Sequence, residues 1–187
     1  ALPIFLGRAA DILHSQYNTE QADDFMPMGI SLSGNNTAQG GHAAVPFSIT
    51  TKGSIPLTGT GASTGLLARK AAAERELFKS PVEERFANVL SRTYANITSE
   101  QIERSEFFSA AFNDPLTVNG KDVDTVIAAA GFTSGVGSNL PAVVKTIAMR
   151  EVLKLKRQTV FVRYGGWDHH SNLVSGLEAK LPSLDTN

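Results

Sequence analysis

The sequence predicts an α/β fold. Three observations carry that reading. Thr159-Val160-Phe161-Val162-Arg163-Tyr164 is an apolar, β-branched and aromatic run, the composition of a buried strand. An amphipathic stretch from about Asn139 to Lys156 precedes it, with Leu140, Val143, Val144, Ile147, Val152 and Leu155 at helical spacing. Two further strand-like runs, Met28 to Ser33 and Ala44 to Thr51, stand before a long helical region.

Composition sets the outer bounds. The 187 residues suffice for one domain with a sizeable core or for part of a larger one. A hydrophobic share of 42% with 19% charged residues is ordinary for a globular chain. A net charge of −1 implies no bulk attraction to nucleic acid or anionic lipid, so no nucleic-acid partner is expected. No run approaches the roughly 18 apolar residues of a membrane span. The absence of Cys rules out disulfides, thiolate metal sites and Cys nucleophiles. Ala1 to Leu13 has no basic region leading into an apolar one, so no signal peptide is read there. Either an upstream segment was removed or the sequence is an interior piece.

In chain order, Ile4 to Leu13 is a helix candidate with Phe5, Ala9, Ile12 and Leu13 on its apolar face. Asn18 to Asp24 reads as a polar loop. Met28 to Ser33 alternates as a short strand, followed by turn signals at Gly34-Asn35-Asn36-Thr37 and Gly40-Gly41. In the second strand candidate, Pro46 favours an edge or irregular position. Lys52 to Gly65 is Gly-, Ser- and Thr-rich, a loop or thin β excursion. Leu66 to Asn113 is helical throughout and reads as a cap or insertion, since no strand interrupts it. Ser80-Pro81-Val82-Glu83 and Thr98-Ser99-Glu100-Gln101 each resemble a capping box, and Val82, Phe86, Val89, Leu90, Tyr94 and Ile97 mark an apolar face. Pro115 and Asn119-Gly120 signal a turn, Lys121 to Ala130 a short helix at most, and Gly131 to Gly137 a link. Asn172 to Leu184 starts a helix that Pro182 is expected to stop. There is no internal repeat.

The residues with chemical capacity collect after the strand at 159–164. Gly165-Gly166-Trp167-Asp168-His169-His170 holds the only Trp and two of the four His. Ligand sites in open α/β sheets lie just beyond the carboxyl ends of strands. Asp168 and His170 are two apart, which places both side chains on one side of an extended segment. A carboxylate oxygen with an imidazole nitrogen suits Zn²⁺, Mn²⁺ or Fe. The plainer alternative is an Asp that caps the next helix beside an exposed His. His169 points the other way unless the turn redirects it. Trp167 is a pocket wall or simply a rim aromatic, and Gly165 and Gly166 free the backbone around it. Lys154, Lys156 and Arg157 read as a solvated helix end rather than an anion site. Gly131 to Gly137 lacks the Gly-Lys-Ser/Thr ending of a nucleotide loop.

The run from Ser138-Asn139-Leu140 through the amphipathic helix, Arg157-Gln158, the strand and Gly165-Gly166-Trp167-Asp168-His169-His170-Ser171-Asn172 resembles the bacterial domain-of-unknown-function family 1501. That family's signature is a strand ending in Gly-Gly-Phe/Trp-Asp-Thr-His, and Phe5-Leu6-Gly7-Arg8-Ala9 also looks like it. The resemblance is specific over residues 138–178; His169 departs from the family's Thr. It implies an alkaline-phosphatase-like α/β fold, a sheet flanked by helices, with residues 1–187 forming part of a single domain and 66–113 a helical cap or insertion. It implies an exported protein, periplasmic or extracellular, and a metal-dependent hydrolase of phosphate or sulfate esters. Asp168 and His170, with His169 as a further candidate, would hold a divalent metal, zinc or manganese foremost. The family's first strand and its later Ser-Glu-Phe-Gly-Arg and Gly-Thr-Asp-His-Gly segments are not in this sequence. Remaining segments of the same protein, or another chain, would then complete the sheet and the site, and no nucleophile can be named. The alternative is a non-catalytic exported binding or assembly protein that keeps the hydrolase-like fold.

Overall fold

A computed structural model describes residues 5–18, 26–42, 44–55, 65–79, 88–132, 135–168 and 170–185. Among them the chain is mixed α/β, with six α-helices, a four-stranded sheet and a two-stranded one. In order these are α1 (Phe5–Tyr17), β1 (Gly29–Ser31), β2 (Phe47–Thr50), β3 (Gly53–Ser54), α2 (Gly65–Lys79), α3 (Val89–Asn113), β4 (Thr117–Val118), β5 (Lys121–Asp122), α4 (Val123–Ala130), α5 (Leu140–Ala148), β6 (Thr159–Phe161) and α6 (Leu173–Asp185). The contacts divide the chain into two compact units, Ala1–Gly53 with Ala111–Asn187, and Ser54–Ala110.

The sheet in the first unit runs β3-β2-β1-β6. β1 is parallel to both β2 and β6, with Ile30 opposite Phe47 on one side and Val160 on the other. All three residues of β1 are buried, as a central parallel strand covered on both faces requires. Pro46 sits immediately before β2 and removes no ladder bond, so β2 holds an interior place in the sheet. β6 is shorter than the predicted 159–164 and only half-buried. Its pairing stops because the Arg163 N–H turns to the Ser33 hydroxyl, at 2.8 Å.

Helix α1 corrects the face read from its large apolar residues. Phe5 and Ile12 are exposed, while Gly7, Ala10 and His14 face inward. Ala10 joins Met28 and Ala44 in a small core cluster, with Leu13 against it. Small residues point inward because the Gly40-Gly41 backbone lies directly under Gly7. Asp11 fixes the same loop, its carboxylate accepting from the His42 and Ala44 amides at 2.7 and 2.8 Å. Two helix turns on, the Asn18 side chain is bonded to both the N–H and the C=O of Arg157, each at 3.0 Å.

The helix predicted over 139–156 ends at Ala148 and passes through a 3₁₀ turn, Met149–Glu151. Lys154 then takes a left-handed conformation, φ 56°, and the Leu155 N–H returns to the Arg150 carbonyl at 2.9 Å, the six-to-one bond of a Schellman-type close. The basic cluster therefore lies on a helix-ending turn. Asn119 and Gly120, both with positive φ, form the turn of the β4–β5 hairpin, where only a turn was expected. Lys121 to Ala130 resolves into β5 and a full α4. Asp122 caps α4, its carboxylate accepting from the Thr125 amide at 2.8 Å, and Gly131 closes it in the left-handed region. α6 continues through Pro182 to Asp185 instead of stopping there.

The Asp122 cap gives a first expected outcome. Hydrogen bonds from the Thr125 hydroxyl and amide hold the Asp122 carboxyl below the usual aspartate range. A depressed folded pKa means stability that is present above the unfolded value of about 3.9 and lost as the pH falls through the folded value. Asp122→Ala should lower the thermal midpoint at neutral pH, and the gap to wild type should narrow as the pH falls through the folded value and the cap is protonated in both folded and unfolded states. Melting curves across that range check it. A gap that persists unchanged at acid pH would show that the side chain's charge does not act there.

The second unit contains α2 and most of α3. Within it, the Ser54 hydroxyl reaches the Ser105 carbonyl at 2.8 Å and the Ser109 hydroxyl at 2.6 Å, and Ala95, Ile102 and Phe108 are buried. The capping box expected at Thr98 is not formed. Thr98 lies mid-helix and its hydroxyl donates to the Tyr94 carbonyl at 2.8 Å, the back-bond open to Thr inside a helix. Leu90, Tyr94 and Ile97 of the predicted apolar face are exposed. The other predicted cap, Ser80 to Glu83, with Val82 and Phe86, lies outside the described residues.

Candidate functional site

The parallel register places Ser31 of β1 beside Phe161 of β6, so both strands end at one edge. The chain moves from β1 to β2 on one side of β1, while β6 lies on the other. A reversal of this kind between adjacent parallel strands is where open α/β sheets form their ligand crevices. Two loops leave this edge, residues 32–42 and 162–172. The Leu32 amide donates to the Phe161 carbonyl at 2.9 Å, next to the Arg163–Ser33 contact.

The loop after β1 is held by its own side chains. The buried Ser31 hydroxyl accepts from the Ser33 amide and from the Asn36 amide nitrogen, both at 3.2 Å. Asn36 in turn bonds Gln39 at 3.0 Å in both directions. The buried Gln39 side chain donates across to the Ile30 and Thr159 carbonyls at 3.3 and 3.2 Å. Polar groups thus brace the β1–β6 junction beneath the site. The Ser-Gly-Asn-Asn run after a strand was legible as a turn, but its pairing with residues 120 and more positions away was not.

Beyond β6, Gly166 takes φ 79°, a left-handed turn that suits glycine. Trp167 folds back: its indole N–H donates to the Tyr164 carbonyl at 2.7 Å, and the two rings meet edge to face with centroids 5.3 Å apart. Trp167 is therefore a rim aromatic, 38% exposed. Asp168 and His170 come together as their spacing predicts. The His170 Nε2 lies 3.2 Å from the Asp168 Oδ2, and both side chains are more than four-fifths exposed, at 83% and 87%. His169 lies outside the described residues. Among the described residues no group of three or more His, Cys, Asp or Glu is placed to hold a metal, so Asp168 and His170 are a pair.

Lys180 is the site residue that the sequence did not announce. It is the one cation on α6. Its ammonium donates to the Gly165 carbonyl at 2.8 Å and to the Gly166 carbonyl. It also lies 5.3 Å from the Tyr164 ring centroid and 5.2 Å from that of Trp167.

The donor set and its spacing fit a metal. Two ligands of a tetrahedral zinc, at bond lengths near 2.0–2.2 Å, stand roughly 3.3 Å apart. The 3.2 Å between Oδ2 and Nε2 is close to that bite, and it is equally the length of a direct Asp–His hydrogen bond or ion pair. No protein-family profile, curated protein or solved structure matches this chain. No helix among the described residues is long and apolar enough to cross a membrane.

Proposed function

We propose that this chain supplies one wall of the active site of an exported metal-dependent hydrolase of phosphate or sulfate esters, built on an alkaline-phosphatase-like sheet. The observation that carries the reading is the 3.2 Å juxtaposition of Asp168 Oδ2 and His170 Nε2 at the carboxyl end of a parallel strand. The likeness of residues 138–178 to the domain-of-unknown-function family 1501 adds to it. Asp168 and His170 would bind zinc or manganese; when bound, such an ion polarises the ester oxygen and makes a water or hydroxyl nucleophilic near neutral pH. Further ligands and the nucleophile would come from remaining segments of the same protein or from another chain completing the sheet. The residues here do three things. Asp168 contributes negative charge and an oxygen donor, His170 a nitrogen donor that must be neutral to bind, and the β1 loop keeps β6 and its extension in register.

The test is zinc and manganese titration of the purified protein together with its rate on aryl phosphate and aryl sulfate esters. Asp168→Ala should weaken metal binding by at least about tenfold and reduce any hydrolysis in proportion. The melting temperature should move little, because the side chain is exposed. A protein that takes up neither metal and cleaves neither ester would sink this reading. The high exposure of both side chains would then favour the second one, a non-catalytic binding or assembly protein with the same fold.

A further inference from the structure

We infer that Lys180 is a positioning residue that locks the Gly165-Gly166 turn and thereby sets the aim of Asp168 and His170. The inference rests on the metal-site reading above for its purpose, but its physical content stands on contacts alone.

Two consecutive glycines have the largest conformational freedom of any dipeptide, so the turn needs an external restraint to hold one direction. Within the described residues no backbone–backbone hydrogen bond closes it. Trp167 spans it from within, its indole N–H on the Tyr164 carbonyl, and α6 restrains it from outside. The Lys180 ammonium draws the carbonyls of Gly165 and Gly166 toward one point. The Tyr164 and Trp167 rings stand on either side of the turn in sequence, and both lie about the same distance from that ammonium. Tyr164 is itself fixed from below: a Cβ at Gly135, were there one, would lie 3.2 Å from its ring. The cation therefore joins four consecutive residues, Tyr164 to Trp167, to the following helix. Asp168 is the next residue.

Chemistry favours Lys at this place. An ammonium is compact and has three donors, so it can serve two converging carbonyls while its charge lies over aromatic faces. A neutral side chain of similar length would keep the packing and lose both attractions. A guanidinium would keep the charge and the ring contacts in a different donor geometry.

The experiment compares wild type, Lys180→Met and Lys180→Arg in the same protein. Three quantities are read. Acrylamide quenching of Trp167, the only Trp, reports the turn. The NMR contact between the His170 ring and the Asp168 Cβ protons reports the pair without metal. Zinc titration reports its use. In Lys180→Met, quenching should rise, the His170–Asp168 contact should be lost, and zinc should bind about tenfold more weakly, as expected when a supporting residue is removed. Lys180→Arg, which keeps the charge but not the donor geometry, should fall between wild type and Lys180→Met in all three, and the circular-dichroism melt should hardly change in either variant. An unchanged His170–Asp168 contact in Lys180→Met overturns the inference, whatever zinc does. If wild type takes no zinc but the contact is lost in Lys180→Met, the positioning role stands and the hydrolase reading falls.

Discussion

Replacing Asn18 with alanine is expected to lower stability by about 3–5 kcal/mol, since each buried group left without its partner costs about 1–3 kcal/mol. Asn18 is 1% exposed. Its amide nitrogen donates to the Arg157 carbonyl, its amide oxygen accepts the Arg157 N–H, and it meets His14 Nδ1, all at 3.0 Å. The side chain thus imitates a strand neighbour for Arg157, two residues before β6 begins. Alanine would take this partner from both Arg157 backbone groups and from the His14 nitrogen. For a chain of this size the midpoint should fall by roughly 10 °C, at about 2–4 °C per kcal/mol. Asn18→Asp should do no better. It keeps an acceptor for the N–H but sets a carboxylate against the Arg157 carbonyl, and burying that charge is unfavourable. Urea unfolding gives the magnitude, and amide exchange at Thr159 to Phe161 shows whether the loss is transmitted to β6. A loss under about 1 kcal/mol would mean that water replaces the side chain and that the contact does not anchor the strand.

How much of this could be read in advance depends on whether the cause was local. The strand around Val160 was legible from its β-branched and aromatic run, and the one around Ile30 from its alternation, although β6 is only half-buried and every residue of β1 is buried. So was the meeting of Asp168 and His170, expected from their two-residue spacing. The face of α1 was misread because periodicity weighs large apolar residues. Here the close approach of the Gly40-Gly41 backbone selects small ones, and Phe5 and Ile12 are left outside. The helix over 139–156 is predicted too long because no Gly or Pro follows Pro141, which sits in its first turn. A finer signal existed: Leu153 and Leu155 are two apart and both buried, which one helix face cannot satisfy, and the left-handed Lys154 between them is how the chain satisfies it. Pro182 read as a stop, yet α6 runs past it to Asp185. At the site, Lys180 and Ser33 escaped notice for one reason. Each meets its partner only through tertiary folding, Lys180 across 14 and 15 residues and Ser33 across 130, and neither carries a pattern of its own.

Gly7→Ala should be destabilising by about 2–3 kcal/mol, the range for forcing extra volume into a packed interface. The sign is the informative part. In a helix interior, alanine is normally favoured over glycine by about 1 kcal/mol, so a free α1 would gain from the change. In this fold a Cβ on Gly7 would fall inside the contact distance of the Gly40 carbonyl and lie 2.7 Å from the Gly41 nitrogen. Those are backbone atoms and cannot rotate away as a side-chain end would. Nor is the loop free to retreat, since Asp11 one turn later holds the His42 and Ala44 amides. The helix must tilt out or the loop must break from Asp11. Either movement disturbs the 32–42 loop, whose Ser33 hydroxyl receives the Arg163 amide at the site edge. Gly41→Ala should act in the same direction, because its Cβ would enter the Asp11 carboxylate. Combined, the two changes should cost less than their sum, since one displacement of α1 from the loop relieves both overlaps. Thermal and urea unfolding of the two single variants and the double variant measure this. A Gly7→Ala protein as stable as wild type, or more so, would show that α1 is held away from Gly40-Gly41 and that its glycine answers to something else.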